Sequence, residues 1–69
     1  MEIYILATLI KDKSQYWSGS NIYDCIDFVR STNHRCLFYW NVRIYNKDSG
    51  KRIYSGNLGN YASDVLGLF

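Results

Sequence analysis

The residues of this chain that could bind a metal ion or act as a nucleophile lie in one short stretch. Cys25, His34 and Cys36 are soft ligands, and Asp24 and Asp27 flank the first of them. A structural zinc site needs four ligands, usually arranged in closely spaced pairs. The spacing of these three residues fits no such pattern, so we expect no metal and no other cofactor.

Catalytic chemistry is not predicted either. A catalytic Cys25 would have to be exposed and activated, but it falls on the apolar stripe of a predicted helix. The two Ser-Gly breaks, at 18–20 and 55–57, lack the lysine that follows a phosphate-binding loop. Aspartates at turns and helix starts usually bond the local backbone; these are Asp12, Asp24, Asp27, Asp48 and Asp64. We therefore predict that the protein is not an enzyme.

The composition indicates one small domain, over residues 1–69, that depends on large side chains. Aromatic residues make up 17% of the 69 residues, and each buried ring removes roughly 150–250 Å² from water. The net charge of +2 is too small to imply a nucleic-acid partner by itself. No apolar run approaches the ~20 residues that cross a membrane, and Met1-Glu2-Ile3 opens with strand-like sequence. We expect a cytoplasmic protein with reduced thiols, no signal peptide and no membrane contact.

An internal repeat, over about 2–32 and 39–69, indicates the architecture. Lys11-Asp12 is followed by Tyr16-Trp17-Ser18-Gly19-Ser20, and Lys47-Asp48 is followed by Ile53-Tyr54-Ser55-Gly56-Asn57. Each copy has the pattern of a strand, a polar turn, a second strand, a Ser-Gly break and a helix. The repeat predicts a ββαββα order.

The predicted fold is an α+β fold with a four-stranded antiparallel sheet and two helices on one face. The strands are predicted at 2–10, 15–18, 35–46 and 51–55, and the second helix at 61–69 with Tyr61, Ala62, Val65 and Phe69 buried. The first helix presents an apolar stripe, typical of a helix that covers a core, at Ile22, Cys25, Ile26 and Val29. With the long strands central, the strand order is 2-1-3-4, and a right-handed crossover places both helices on the same face.

The other sheet face is the predicted binding surface. Alternation along the third strand predicts that one set of side chains points toward the core: Phe38, Trp40, Val42 and Ile44. The set predicted to point outward is Tyr39, Asn41, Arg43 and Tyr45. Their expected neighbours on the other strands are Tyr4, Thr8, Arg52 and Tyr54. Tyrosine and arginine are enriched in protein-binding hot spots, which favours a protein partner or self-association as a homodimer. Tyrosines interleaved with arginines also occur on platforms for single-stranded nucleic acid, which is the alternative. A third interpretation is an exposed face with no role.

The layout resembles that of small phage and mobile-element proteins, in which a Tyr-x-Ser-Gly break links a short hairpin to a helix. The residues that carry this resemblance are 16–20 and 53–57, with the helices that follow them. This class includes anti-CRISPR inhibitors, which bind and occlude a host complex. The resemblance implies a non-enzymatic protein-binding inhibitor, and it assigns no individual site residue.

Overall fold

The computed structural model describes residues 2–13 and 16–68. The chain forms β1 (Ile3–Leu9), β2 (Tyr16–Gly19), α1 (Ile22–Ser31), a single 3-10 helical turn (Leu37–Tyr39), β3 (Trp40–Asn46), β4 (Arg52–Asn57) and α2 (Leu58–Asp64). All neighbouring strands are antiparallel, in the order β2-β1-β3-β4. The predicted α+β fold, including its strand order, is confirmed.

Helix α1 forms where the apolar stripe predicts it. Ile22, Cys25, Ile26 and Val29 are its buried residues. The Asn21 side chain caps the helix by accepting from the backbone N–H of Tyr23 and of Asp24, which satisfies two donors that no helical carbonyl can reach. This face of α1 therefore packs on the sheet.

The core lies between the two helices and one sheet face. The sheet contributes alternate residues of β1 and β3, and the helices contribute their apolar faces; the buried residues are Ile5, Ala7, Leu9, Ile22, Cys25, Ile26, Val29, Leu37, Trp40, Val42, Ile44, Leu58 and Ala62. Trp40 is fully buried. Its indole Nε1–H donates to the His34 carbonyl at 2.9 Å, and its ring meets Phe28 edge-on at 5.8 Å. Its only polar group is thereby satisfied, as burial requires.

The third strand is shorter than predicted. Residues 37–39 form a 3-10 turn in which Leu37 enters the core. Phe38 and Tyr39 are 45% and 58% exposed, so Phe38 is not buried in the core as predicted, although its ring lies against Gly59 of α2. Alternation holds only where the backbone is extended, and this turn ends it at Trp40.

Helix α2 begins three residues earlier than predicted. Asn57 caps it by accepting from the backbone N–H of Gly59 at 2.9 Å and of Asn60 at 3.3 Å. Leu58 and Ala62 are buried, whereas Val65 is exposed and follows the end of the helix at Asp64. The predicted burial of Val65 is therefore wrong, and Phe69 lies outside the described residues.

Two turns depend on left-handed backbone conformations. Gly50, with φ of 72°, closes the β3–β4 turn, where Asn46 Oδ1 accepts from two backbone N–H groups. Lys13, with φ of 59°, follows β1, and its N–H donates to the Leu9 carbonyl at 2.9 Å. Among the described residues, no helix has the length and apolar character required to cross a membrane.

Candidate functional site

The sheet face opposite the helices, called here the outer face, is defined by the strand register. Residues directly opposite one another in antiparallel strands point to the same side. The outward residues are Tyr16 and Ser18 on β2, Tyr4, Leu6 and Thr8 on β1, Asn41, Arg43 and Tyr45 on β3, and Arg52, Ser55 and Asn57 on β4. The face therefore combines tyrosines, arginines and small polar side chains.

These side chains form three rows across the strands. The first row is Tyr4, Tyr45 and Arg52; the second is Ser18, Leu6, Arg43 and Ser55; the third is Tyr16, Thr8 and Asn41. Asn57 ends the third row by register, but its side chain caps α2. Neighbouring residues within a row are one strand spacing apart, about 4.8 Å. Of the predicted site residues, Tyr4, Asn41, Arg43, Tyr45 and Arg52 are brought together here, along with the predicted neighbour Thr8.

Tyr54 was predicted on this face, and the structure places it on the other side of the sheet. Ile44 pairs with Tyr54, but Tyr45 pairs with Arg52, so Ile53 is an extra residue at a bulge. A bulge shifts the alternation by one residue. Tyr54 consequently packs against the core, with its ring 4.7 Å from that of Tyr61.

The packing of Tyr54 also affects the ionisation of its neighbour. The pKa of Tyr61 is raised, first by burial and then by the nearby phenols of Tyr54 and Tyr23. Both effects disfavour a phenolate. Tyr61 therefore stays protonated at neutral pH, as expected for a residue with a structural role.

Tyr39 was also predicted on the outer face as a residue of the third strand, and its place in that strand is wrong. It lies in the 3-10 turn before β3. Its carbonyl accepts from the Ile10 N–H at 3.0 Å, which ties the turn to the end of β1. The Tyr39 side chain instead lines a cleft at that end of the sheet.

Several residues of the outer face region were not among the predicted site residues; they are Leu6, Ser18, Ser55 and Asn57, together with Tyr16 and Lys13, the aromatic residue and the cation among them. Tyr16 points outward because it pairs with Thr8, and it is 65% exposed. Alternation within β2, with the neighbouring Trp17 against the core, would have assigned it. Lys13 could not have been found in this way, because only its turn conformation brings it beside Arg43.

The charged side chains among the outward strand residues of the outer face are all positive. These residues include Arg43 and Arg52 but no carboxylate. Glu2, just beyond β1, pairs with Lys47 at 3.6 Å. The remaining acidic residues lie in turns or on the helices; they are Asp12, Asp24, Asp27, Asp48 and Asp64. A partner approaching the outer face therefore meets cations that no acidic residue on that face neutralises.

A polar depression indents one end of this face. It has a volume of about 310 Å³ and is lined by Thr8, Lys13, Asn41, Arg43, Ser55 and Gly56. Apart from Gly56, every lining residue carries a hydrogen-bond donor on its side chain. The depression is therefore suited to an anion.

A second, more apolar cleft lies at the same end of the sheet. It has a volume of about 420 Å³ and is lined by Leu9, Ile10, Lys11, His34, Phe38 and Tyr39. Ile10 and Tyr39 are both exposed. An exposed apolar cluster of this kind is typical of a contact surface.

The structure places the Cys25 thiol where its reactivity is low. Cys25 is fully buried, and burial raises the pKa of its thiol to about 12. A thiol with this pKa is protonated at neutral pH and is a poor nucleophile. Cys36 is exposed. Within residues 2–13 and 16–68, no three His, Cys, Asp or Glu side chains are grouped closely enough to hold a metal ion.

No protein-family model, no curated protein and no solved structure matches this chain.

Proposed function

We propose that this protein is a non-catalytic binding module whose outer face binds single-stranded nucleic acid. The observation that carries the proposal is the arrangement of tyrosines and cations on one sheet face that has no carboxylate among its outward strand residues. Proteins that bind single strands combine aromatic rings, on which bases stack, with cations that follow the phosphates.

The tyrosines supply the stacking surface. Tyr4 and Tyr16 are exposed, and Tyr45 is half-buried between Tyr4 and Arg52 in its row. A ring that is already held against the sheet loses little side-chain freedom when a base stacks on it. Base stacking of this kind contributes about 1–3 kcal/mol per ring.

The cations supply the phosphate contacts. Arg43 and Arg52 are exposed on the outer face, and Lys13 lies at its end. Small polar groups between them, such as Asn41 and Ser55, can bond to phosphates or base edges. These cations lie on a face whose outward strand residues include no carboxylate.

Titration of a short fluorescent oligonucleotide at low salt tests the proposal. Changing Tyr4, Tyr16 or Tyr45 to Ala should each weaken binding by about 1–3 kcal/mol. Tyr23→Ala is the matched control, because Tyr23 is 55% exposed but lies on α1. Equal losses for Tyr23→Ala and the outer-face variants would contradict the proposal, as would no binding at tens of micromolar protein, a threshold that admits even non-specific contact.

A second candidate function is a protein-directed inhibitor of the phage type, which blocks a host complex by occluding its surface. The apolar cleft supports it, because exposed Ile10 and Tyr39 lie beside Lys11 there, and aromatic anchors dominate protein interfaces. A host-lysate pull-down should recover one stoichiometric protein with the unmodified chain and with Tyr23→Ala. Loss of that protein with Tyr39→Ala would support the inhibitor function, and equal recovery with all three proteins would count against it.

Self-association through the outer face is disfavoured by charge. Two copies packed by this face would bring together two Arg43 and two Arg52 side chains with no carboxylate from the outward strand residues. Like charges brought into a partly dehydrated interface cost free energy. We therefore expect the protein to remain monomeric at micromolar concentration, which sedimentation velocity would measure.

A further inference from the structure

The polar depression brings together donors that are distant in the sequence. Thr8 comes from β1, Asn41 and Arg43 from β3, Ser55 from β4, and Lys13 from the turn after β1. No carboxylate lines it, and its volume is about 310 Å³. Since a water molecule occupies about 30 Å³ in the liquid, the depression has room for a phosphate group and several waters.

Within residues 2–13 and 16–68, the donor side chains of the depression have no partner. In the parts of the chain that the structure describes, the side chains of Lys13, Arg43 and Ser55 make no hydrogen bond or ion pair, and the same is true of Thr8 and Asn41. Structural polar side chains usually pair with a neighbour, as Asn21 and Asn57 do at the helix caps. A cluster of donors that includes two cations can bind an anion through charge-assisted hydrogen bonds, which are stronger than neutral ones.

Lys13 reaches this cluster through an unusual backbone conformation. Its φ of 59° is uncommon for a residue other than glycine. The hydrogen bond from its N–H to the Leu9 carbonyl holds the turn. A glycine would adopt this conformation more easily, but it would remove the cation from the depression.

We infer that the polar depression is a phosphate-binding subsite that holds one backbone phosphate of a bound single strand. This inference rests on the proposed function and adds where the strand is anchored. Asn41, Thr8 and Tyr16 share a row, so Tyr16 lies two strand spacings, roughly 10 Å, from Asn41. A strand whose phosphate occupies the depression can stack a neighbouring base on Tyr16.

The salt dependence of oligonucleotide binding tests the subsite, using Lys13→Gln and Lys51→Gln. Both variants remove one positive charge from an exposed lysine, but Lys51 lies in the turn at the opposite end of β3. For single strands each phosphate contact contributes about 0.7 to the slope of log K against log salt. Lys13→Gln should reduce the slope by about 0.7 and weaken binding severalfold, whereas Lys51→Gln should leave the slope unchanged.

Inorganic phosphate provides a second measurement that needs no nucleic acid. In a titration followed by amide NMR shifts, phosphate should move the signals of Ser55 and Gly56, and Lys13→Gln together with Arg43→Gln should abolish the movement. Thermal unfolding of each variant identifies any loss of folding.

The outcomes separate the two proposals. If the oligonucleotide binds but Lys13→Gln and Lys51→Gln change the slope equally, the subsite is wrong and the proposed function stands. If phosphate moves these signals but the oligonucleotide does not bind, the depression is an anion site and the proposed function is wrong. If neither binds, both proposals are overturned.

Discussion

At the scale of single residues, Tyr54 and Tyr45 have similar sequence neighbourhoods but face opposite sides of the sheet. Tyr54→Ala removes an edge-to-face contact with Tyr61 and part of the core surface. We expect it to lower the free energy of unfolding by about 2 kcal/mol and to leave oligonucleotide affinity unchanged. Urea denaturation and the oligonucleotide titration measure the two effects. An affinity loss like that of Tyr45→Ala, without loss of stability, would contradict the assignment.

Because the Cys25 thiol is buried, we expect the protein to lose stability in alkaline solution. Burial raises the pKa of Cys25 from 9.0 to about 12 in the folded state, so the folded protein keeps a proton that the unfolded chain loses. The stability that depends on the protonated Cys25 thiol is fully present below pH 9 and is lost as the pH rises toward 12. At about pH 10 the unfolding free energy should be about 1.4 kcal/mol lower for this reason.

Cys25→Ala is the control for that measurement, because tyrosines and lysines also titrate in this range. The alkaline loss in urea denaturation should be smaller in Cys25→Ala than in the unmodified protein by about that amount. Equal alkaline losses of unfolding free energy in Cys25→Ala and in the unmodified protein would show that Cys25 does not cause the loss. A thiol reagent should label exposed Cys36 in the folded protein and Cys25 only after unfolding.

At the scale of secondary-structure elements, the two helix caps are chemically alike but structurally unequal. Asn21 and Asn57 each accept from two backbone N–H groups. Asn57 Nδ2 also donates to the Phe38 carbonyl at 2.8 Å, which joins α2 to the 3-10 turn. The cap of α2 therefore also stabilises a tertiary contact.

We predict that Asn57→Ala costs more stability than Asn21→Ala. Losing the cap alone should cost about 1 kcal/mol, and losing the additional hydrogen bond should add about 1 kcal/mol at Asn57. Asn57→Asp keeps the accepting oxygen and loses the donor, so its unfolding free energy should lie between those of Asn57→Ala and the unmodified protein. Equal costs for the two alanine variants would contradict a role in joining α2 to the turn.

Gly59 shows that a glycine inside a helix can be required by packing. A Cβ at this buried position would lie 2.5 Å from the Phe38 ring. Alanine normally stabilises a helix relative to glycine by about 1 kcal/mol, but here the overlap should reverse the sign. We expect Gly59→Ala to lower the melting temperature, and the matched exposed variant Asn60→Ala to change it little. A higher melting temperature for Gly59→Ala would overturn this prediction.

At the scale of the whole molecule, the sheet order predicts an order of local opening. β1 and β3 are central, paired on both sides and buried on one face, whereas β2 has four residues and one neighbour. Local opening is easiest where few buried contacts resist it. In amide hydrogen exchange, β2 should exchange first and the amides of β1 and β3 last. Equal protection of β2 and β1 would show instead that the sheet opens as one unit.

The sequence by itself determined the frame of this protein. The stripe in α1, the alternation in β1 and β3 and the repeated Ser-Gly break are local patterns set by the side chains of neighbouring residues. The strand order followed from them through the right-handed crossover. The outward positions of Tyr4, Asn41, Arg43 and Tyr45 could therefore be predicted, because these residues lie within regular strands.

Only the tertiary structure decided how the ends and edges of the sheet complete the outer face. The bulge at Ile53 turns Tyr54 to the core, the 3-10 turn removes Tyr39 from β3, and the left-handed turn places Lys13 beside Arg43. The 3-10 turn depends on the insertion of Leu37 into the core, and the bulge depends on the pairing of β4 with β3. The Lys13 turn is local, but its place beside Arg43 depends on the pairing of β1 with β3. Because a shift of one residue turns a strand side chain to the other face, local periodicity cannot assign these positions.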